Sequence, residues 1–340
     1  MGAATAMSTE ELLGRLGRLG YGAAALGNLY ASMDDDDAQR TLECAWEGGV
    51  RYFDTAPHYG LGLSEQRLGT FLQQKPRADY AISTKVGRLL EPNHAYRPGD
   101  KDAEGFDVEA RLVRRWDYSE AGIRKSLQSS LERLGLNRVD ILFLHDPDLY
   151  NMEAALAKAI PALQRLKHEG LASAIGVGSN SASDLAQLVE AADLDVVMVA
   201  GRFTLLEQPA LERLLPLCLE RGTSVVAAGV FNSGILADSA VPAQSHYNYL
   251  PAPSTLVERA RRLARICQHH GVALPAAALQ FPLRHRAIHS VAMGARGAQQ
   301  MSSNLAAMSA AIPAALWKEL ETNDLIPSQD SFGEIPVLPQ

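Results

Sequence analysis

The segment VRYFDTAPHYG, residues 50–60, passes from a short apolar run to an acid, Asp54, and then to a phenol, Tyr59. An apolar run bounded in this way is typical of a buried β-strand. Loops that a rigid element positions carry a disproportionate share of binding and catalytic residues. The segment therefore predicts a reaction site supported by the strand that precedes it.

Two later apolar runs also end at reactive side chains, one at Lys85 and one at His145. A further run, residues 174–178, is followed directly by Ser179 and Asn180. The recurrence suggests that several strand ends meet at one place in the folded chain.

Apolar strand patterns lie near residues 20, 51, 81, 140, 174, 196, 224 and 290, and a helical pattern follows each of them. Eight such units predict an α/β fold, a (β/α)8 TIM barrel with its active site at the C-terminal ends of the strands. A doubly wound dinucleotide-binding sheet is disfavoured, because the turn after residues 20–22 lacks that fold's third glycine. We expect a single barrel domain over residues 1–340.

The predicted barrel is interrupted by a polar insert at about residues 88–118, which contains Pro92, Pro98, Gly99 and Gly105. An insert of this length in a compact domain is usually functional or disordered. Elsewhere, residues 34–37 predict a helix start rich in Asp. Ser64 and Glu65 predict a cap for the next helix.

Composition narrows the class of partner. The chain of 340 residues has a formal net charge of −7 and no basic block, which argues against nucleic acid or an anionic membrane as partner. It has no apolar run near the ~20 residues that span a bilayer, and its first residues lack a signal pattern, so we expect a cytoplasmic protein. The three cysteines are expected to be structural thiols, not a disulfide or a metal site.

In a barrel, Asp54, Lys85 and His145 would share one mouth with Tyr59. The set suits hydride transfer between a nicotinamide and a carbonyl or carbinol. A tyrosine hydroxyl moves the proton if a nearby lysine lowers its pKa from ~10 towards neutrality. Asp54 would hold the lysine, and His145 would hydrogen-bond the reacting oxygen.

Each residue also has a simpler interpretation when taken alone. Lys85 alone is a solvated lysine and His145 a core histidine. A metal site at His145 and Asp148 is disfavoured, because the chain offers no second histidine or cysteine at ligand spacing. His58 is expected to pack or cap its own loop, and Asp146 and Asp148 are expected to anchor theirs.

Four motifs carry a resemblance: FDTAPHYG at 53–60, STK at 83–85, DILFLH at 140–145 and GVGSN at 176–180. Together they resemble the aldo-keto reductase family, from Leu19 to about Ala310. The resemblance implies a catalytic tetrad in which Tyr59 is both proton donor and proton acceptor; its members are Asp54, Tyr59, Lys85 and His145. It also implies that Ser179 and Asn180 hold the nicotinamide carboxamide.

The motifs LGNLY at 26–30, VGRLL at 86–90, WDYS at 116–119 and HDPD at 145–148 resemble one subgroup of that family. The subgroup includes L-fucose dehydrogenase, D-threo-aldose 1-dehydrogenase and pyridoxal 4-dehydrogenase. It implies oxidation of the anomeric hydroxyl of an aldose to a lactone. The alternatives are a pyridoxal 4-dehydrogenase-like enzyme, a general carbonyl reductase and, in another class, a non-catalytic nicotinamide-binding regulatory subunit.

The resemblance also suggests cofactor and substrate residues. Backbone donors to the pyrophosphate would come from Asn232, Ser233 and Gly234, with Asn304 near the adenine. NADP-preferring relatives carry two cations where this chain has Gly294 and Gln300, so NAD is favoured; Arg296 leaves NADP possible. Candidate substrate contacts are Trp116, Tyr118 and Arg202, although the first two would serve equally to dock the insert.

Overall fold

The computed structural model describes residues 9–248 and 250–332, which form twelve strands. In chain order they are β1 (Leu19–Gly22), β2 (Tyr52–Asp54), β3 (Ala81–Val86), β4 (Arg88–Pro92), β5 (Leu112–Trp116), β6 (Val139–His145), β7 (Ala172–Ser179), β8 (Val196–Ala200), β9 (Ser224–Ala228), β10 (His246–Tyr247), β11 (Leu250–Pro251) and β12 (Ile288–Met293).

Eight of these strands close into a parallel barrel in the order β1-β12-β9-β8-β7-β6-β3-β2. They are the eight strands predicted from the sequence, so the TIM-barrel prediction is confirmed. Around the barrel each strand pairs with the barrel strands before and after it in the chain, and β1 pairs with β12 to close the ring. The ends of β2, β3 and β6 consequently lie side by side.

Helices surround the barrel, and their bounds in chain order are α1 (Thr9–Leu16), α2 (Asp35–Glu47), α3 (Leu63–Leu72), α4 (Glu120–Leu134), α5 (Met152–Ala154), α6 (Ile160–His168), α7 (Ala182–Ala191), α8 (Leu214–Arg221), α9 (Ser254–His269), α10 (Leu274–Gln280), α11 (Ala298–Ser309) and α12 (Ala314–Thr322). A π-helical stretch, Ala155–Ala159, joins α5 to α6. The helices α1 and α12 were not predicted from the sequence.

Side chains alternate between the inside and the outside of the barrel, as the two-residue period of a strand requires. In β6, Ile141 and Phe143 belong to the cluster that fills the barrel. Leu142 and Leu144 pack outward with the surrounding helices. A strand buried on both faces reads as one continuous apolar run, which explains why these segments were easy to recognise.

The N-terminal end of the barrel is covered by α1. Leu12 and Leu16 are fully buried there, in the same cluster as inward side chains of all the barrel strands except β1. Contacts of α1 with β3, β7 and β12 place the helix across the opening. The barrel is therefore sealed at the end opposite the predicted active site.

Of the two helix starts predicted above, one is confirmed and one is wrong. Asp34 caps α2 by accepting a hydrogen bond of 2.6 Å from the Asp37 N–H, and Ser119 caps α4. Ser64 does not cap α3, because that helix begins at Leu63. Its buried hydroxyl instead donates to the Ala23 carbonyl at 2.7 Å and so ties α3 to the loop after β1.

The insert is ordered and contains an antiparallel hairpin formed by β4 and β5. Its tip folds back to the loop after β1, where Phe106 forms a bridge with Leu29 and the Asp107 N–H donates to the Asn28 carbonyl at 2.9 Å. The insert thus docks beside the loop that carries Tyr59.

The cysteines Cys44, Cys218 and Cys267 are free. Burial raises the pKa of the Cys218 thiol to about 12, which keeps it protonated and unreactive, as expected of a structural thiol. Across residues 9–248 and 250–332, every helix is too short or too polar to span a lipid bilayer.

Candidate active site

Strand parity places the predicted catalytic side chains inside the barrel mouth. Asp54 is two residues beyond the inward Tyr52, and His145 is two residues beyond the inward Phe143. Lys85 follows Ala81 at the same two-residue period. All three positions are buried, with exposures of 3% for Asp54, 2% for Lys85 and 7% for His145.

The ammonium of Lys85 lies at the centre of the site. It donates to Asp54 Oδ2 at 2.6 Å, to the Thr55 carbonyl at 3.0 Å and to the Tyr59 hydroxyl at 3.0 Å. These three acceptors use all three ammonium donors. The structure therefore brings Asp54, Lys85 and Tyr59 together in the arrangement that the sequence predicted.

A second layer of hydroxyls holds the Asp54 carboxylate in place. Ser83 donates to Asp54 Oδ1 at 2.7 Å, and the Tyr52 hydroxyl lies 2.9 Å from the Ser83 hydroxyl. Asp54 and Ser83 are direct partners in the register of β2 and β3. Both carboxylate oxygens are therefore satisfied, and Asp54 can balance the buried charge of Lys85.

The charge states follow from burial and from these contacts. Burial opposes the charge on Lys85, but Asp54 and Tyr59 outweigh it and raise the pKa of Lys85 above its usual range. Burial raises the pKa of Tyr59 to about 12, although Lys85 acts to lower it. The expectation of a Tyr59 pKa near neutrality is thus wrong for this structure, because desolvation of the phenolate exceeds the attraction of the ammonium.

His145 lies beside Tyr59 as a neutral imidazole. The two rings are 6.0 Å apart and nearly perpendicular. Burial, followed by the charges of Arg88 and Lys85, holds the pKa of His145 well below its usual range. A neutral histidine here can hydrogen-bond a substrate oxygen without competing for the proton on Tyr59.

The loop that carries Tyr59 depends on close backbone contact with the turn after β1. A Cβ at Gly27 would lie 2.5 Å from the carbonyl carbon of Tyr59 and 2.7 Å from the Gly60 nitrogen. Gly60 itself has φ of 62°, which disfavours other residues. Glycine at both positions lets the two turns touch.

We expect Gly27→Ala to displace the Tyr59 loop. The clash is with backbone, so the variant should lose about 1–3 kcal/mol in free energy of unfolding and up to about 10²-fold in kcat/KM, because small displacements of catalytic groups are costly. Urea titration and steady-state kinetics measure the two effects. Gly14→Ala is the matched control: Gly14 is exposed in α1 with nothing within 4 Å of its added Cβ, so stability should not fall. Equal behaviour of the two variants would contradict the expectation.

His58 lies within the site, contrary to the expectation that it only packs or caps its loop. Its ring is 5.5 Å from the ring of His145, and its Nδ1 lies 3.1 Å from Arg88 Nη1. Arg88 also donates to Asp146 Oδ2 at 2.5 Å. Asp146 adopts a left-handed backbone with φ of 43°, so the chain turns sharply just after β6.

Residues from the insert surround the cluster of His58, Arg88 and Asp146, and their presence in the site was not predicted from the sequence. Arg114 donates to the His58 carbonyl at 2.8 Å and forms a buried two-bond pair with Asp102. Phe106 packs 5.3 Å from the His58 ring and 6.1 Å from the Tyr59 ring. The available signal was Arg88 within VGRLL, a cation that directly follows a buried strand.

Of the predicted substrate residues on the insert, Tyr118 is only 3% exposed, and its hydroxyl is buried without a hydrogen-bond partner among the described residues. Trp116 stacks on Tyr150 at 5.1 Å and lies under the Arg88 guanidinium at 4.3 Å. These contacts favour docking of the insert as the role of both residues.

Of the predicted nicotinamide-binding residues, Ser179 ends β7 and Asn180 follows it. The Ser179 hydroxyl donates to Asp148 at 2.6 Å, so Asp148 orients it, in keeping with its expected role in its loop. The Asn180 carbonyl accepts a 2.7 Å hydrogen bond from Arg202. Arg202 also contacts Glu207 and Tyr247, which ties it to the segment after β8, not to the tetrad.

The predicted pyrophosphate-binding turn differs from expectation in its hydrogen bonding. The Asn232 N–H donates to the Gly229 carbonyl, and the Gly234 N–H donates to the Phe231 carbonyl. The Asn232 and Gly234 N–H groups, which were expected to bind the pyrophosphate, are therefore already used within the turn. Ser233 has a left-handed φ of 58°, and the buried side-chain oxygen of Asn232 has no hydrogen-bond partner among the residues that the structure describes.

The last predicted cofactor residues lie at the start of α11. Gly294 and Gln300 are exposed, and the Gln300 side chain accepts from the Arg296 N–H at 2.6 Å. The Arg296 side chain is exposed, with no ion pair among the residues described. Asn304 is buried and donates to the Gly294 carbonyl at 3.3 Å, which fixes the turn between β12 and α11.

Comparison with known proteins identifies a family that matches most of this chain, including the barrel, the site around Lys85 and the four motifs. A profile described as the aldo/keto reductase family matches residues 18–324. The chain belongs to the aldo/keto reductase family. This aldo/keto reductase is accordingly an oxidoreductase with a nicotinamide cofactor and a small-molecule substrate.

Individual relatives of this aldo/keto reductase cover nearly its full length. A D-threo-aldose 1-dehydrogenase from a Pseudomonas species is 51% identical over 311 residues, 91% of this chain and 94% of the relative. A pyridoxal 4-dehydrogenase from Microbacterium luteolum is 38% identical, covering 94% of this chain and 98% of the relative. The solved holo form of an aldo-keto reductase from Bacillus halodurans superposes with a TM-score of 0.72 at 26% identity, covering 91% of both chains.

Proposed function

We propose that this aldo/keto reductase oxidises the anomeric hydroxyl of an aldose to an aldonolactone with NAD. The observation that carries the proposal is the Lys85 ammonium, hydrogen-bonded at once to Asp54 and to the Tyr59 hydroxyl at the barrel mouth. The relative at 51% identity is named for oxidation at position 1 of an aldose, which supports this substrate class.

The residues present fit a nicotinamide dinucleotide. Asn232 offers a buried side-chain oxygen that lacks a partner in the described part of the chain. Ser179 ends β7, the strand that pairs with β6 beside His145, and Asn180 follows it. Ser179 and Asn180 would hold the carboxamide. When bound, the nicotinamide supplies the acceptor for the hydride that leaves the anomeric carbon.

The chain's own residues manage the proton. Tyr59 takes the proton of the anomeric hydroxyl, so that the C–O bond becomes a carbonyl as the hydride departs. Lys85 stabilises the phenolate through its 3.0 Å contact, and Asp54 keeps Lys85 charged and oriented. Neutral His145 hydrogen-bonds the reacting oxygen as charge develops on it.

NAD is favoured over NADP by the start of α11. A 2′-phosphate calls for paired cations, but Gly294 and Gln300 occupy the positions where NADP-preferring relatives carry them. Arg296 is the single exposed cation between them. We therefore propose a higher kcat/KM with NAD than with NADP.

The high pKa of Tyr59 predicts different pH dependences for the two directions. The phenol, with its pKa raised to about 12, is protonated at pH 7, and His145 is neutral there too. Carbonyl reduction, which needs the protonated phenol, should be nearly flat between about pH 6 and 9. Oxidation, which needs the phenolate, should rise with pH by up to about tenfold per unit. Initial rates in both directions test this; oxidation that is fastest at acidic pH would contradict it.

The substrate class is tested by initial rates with L-fucose, D-arabinose, L-galactose and pyridoxal, each with NAD and with NADP. We expect NADH formation from at least one aldose. No reduced cofactor from any aldose would overturn the proposal. Turnover of pyridoxal alone would favour the second candidate, which the relative at 38% identity supports. Tight cofactor binding with negligible turnover of every substrate would indicate a regulatory subunit.

A further inference from the structure

The protonation of His58 is fixed by its neighbour. A guanidinium only donates hydrogen bonds, and Arg88 Nη1 lies 3.1 Å from His58 Nδ1. Nδ1 must therefore accept, and the single ring proton of the neutral imidazole is on Nε2. Burial and the charges of Arg88 and Arg114 hold the pKa of His58 at about 2, so this tautomer persists at neutral pH.

The Nε2–H of His58 is an unused donor. Within residues 9–248 and 250–332, the only hydrogen bond of the His58 ring is the one to Arg88. The ring lies 6.0 Å from the Tyr59 ring, 5.5 Å from the His145 ring and 5.3 Å from the Phe106 ring. The donor thus belongs to the wall of the mouth that also holds the two groups expected to bind the reacting oxygen.

The His58 ring is also held rigidly. Arg88, which fixes it, is 6% exposed, pairs with Asp146 at 2.5 Å and stacks over Trp116 at 4.3 Å. Arg114 holds the backbone carbonyl of His58 at 2.8 Å. A donor whose orientation is set before binding loses little entropy when it meets its acceptor, so it is well suited to discriminate between substrates.

We infer that His58 is a substrate-binding residue whose Nε2–H donates a hydrogen bond to the hydroxyl on the carbon next to the reacting carbon. The inference rests on the proposed function, because an aldose carries a hydroxyl at that carbon. Tyr59 and His145 would bind the oxygen on the reacting carbon. The hydroxyl on the next carbon would then lie near the His58 ring. A site built to pair with a substrate hydroxyl disfavours an analogue that lacks it.

The test compares L-fucose with 2-deoxy-L-fucose, or the best aldose of the panel with its 2-deoxy form. The proteins are the full chain, His58→Phe, which keeps a ring without a donor, and His58→Gln, which restores an amide donor. The full chain should prefer the aldose by about tenfold in kcat/KM. His58→Phe should lose about tenfold on the aldose, mainly through KM, and almost nothing on the deoxy sugar. His58→Gln should recover much of the preference.

NADH binding, followed by fluorescence, shows that each variant is folded. Equal losses on both sugars in His58→Phe would mean a structural role and would overturn the inference. Equal kcat/KM on the aldose and its 2-deoxy form in the unmodified protein would by itself overturn the inference. If the unmodified chain oxidises neither sugar nor any other aldose, the proposed function fails instead.

Discussion

Replacing Tyr59 by Phe is expected to lower kcat by about 10² to 10⁴-fold, because the variant loses the hydroxyl that accepts a hydrogen bond from Lys85 and that moves the proton. The phenyl ring keeps its packing on Phe106, and no cofactor contact is assigned to the missing hydroxyl. Cofactor affinity should therefore stay within about twofold of that of the unmodified protein. Single-turnover kinetics and NADH fluorescence titration measure the two quantities.

Tyr118→Phe is the matched control for Tyr59→Phe. Tyr118 is a buried tyrosine near the mouth, and its hydroxyl has no hydrogen-bond partner among the described residues. Its removal should leave kcat nearly unchanged and should not lower stability. If Tyr59→Phe retained full activity, the proton-transfer role of Tyr59 would be wrong.

Lys85→Met is expected to remove most activity and to destabilise the fold. Asp54 is 3% exposed, and the substitution would leave its carboxylate buried with Ser83 but without a counter-charge. Breaking a buried ion pair from one side costs about 3–5 kcal/mol. Chemical denaturation and steady-state kinetics should show both losses, and Lys318→Met, at a side chain 80% exposed, should show neither.

The double variant Asp54→Asn/Lys85→Met separates the two effects of Lys85→Met. Removing both charges eliminates the unpaired buried carboxylate, so much of the lost stability should return. Activity should stay low, because nothing stabilises the phenolate of Tyr59. Recovery of activity together with stability would show that the ion pair serves only the fold.

The barrel, and the positions of the side chains proposed as the tetrad, were predictable because each depends on short-range patterns. A parallel strand buried on both faces is a continuous apolar run, and the side chain that ends it marks the functional edge of the sheet. Asp54, Lys85 and His145 each stand at such an edge. Their meeting then follows from the closure of the barrel.

The insert was not predictable in the same way. The strands β4 and β5 are short, partly polar and separated by about 20 residues without a two-residue hairpin turn. Their pairing, and the contacts of Arg88 with His58 and Asp146, join positions far apart in the chain. No local pattern shows which partner a buried arginine will find.

The raised pKa of Tyr59 also could not be predicted from the sequence. Lys85 as its neighbour was predicted correctly, and its effect has the expected sign. The net shift, however, depends on how completely the loop and Phe106 exclude water from the phenol. That balance between desolvation and attraction exists only in the folded chain.

The helix α1 has a consequence for the order in which the chain assembles. Leu12 and Leu16 precede β12 by more than 270 residues in the chain, but α1 packs against that strand. During synthesis, the surface against which these leucines pack is incomplete until β12 has been made. The helix α1 is therefore translated long before its packing site is complete, and a nascent chain stopped before β12 would expose its leucines to chaperones.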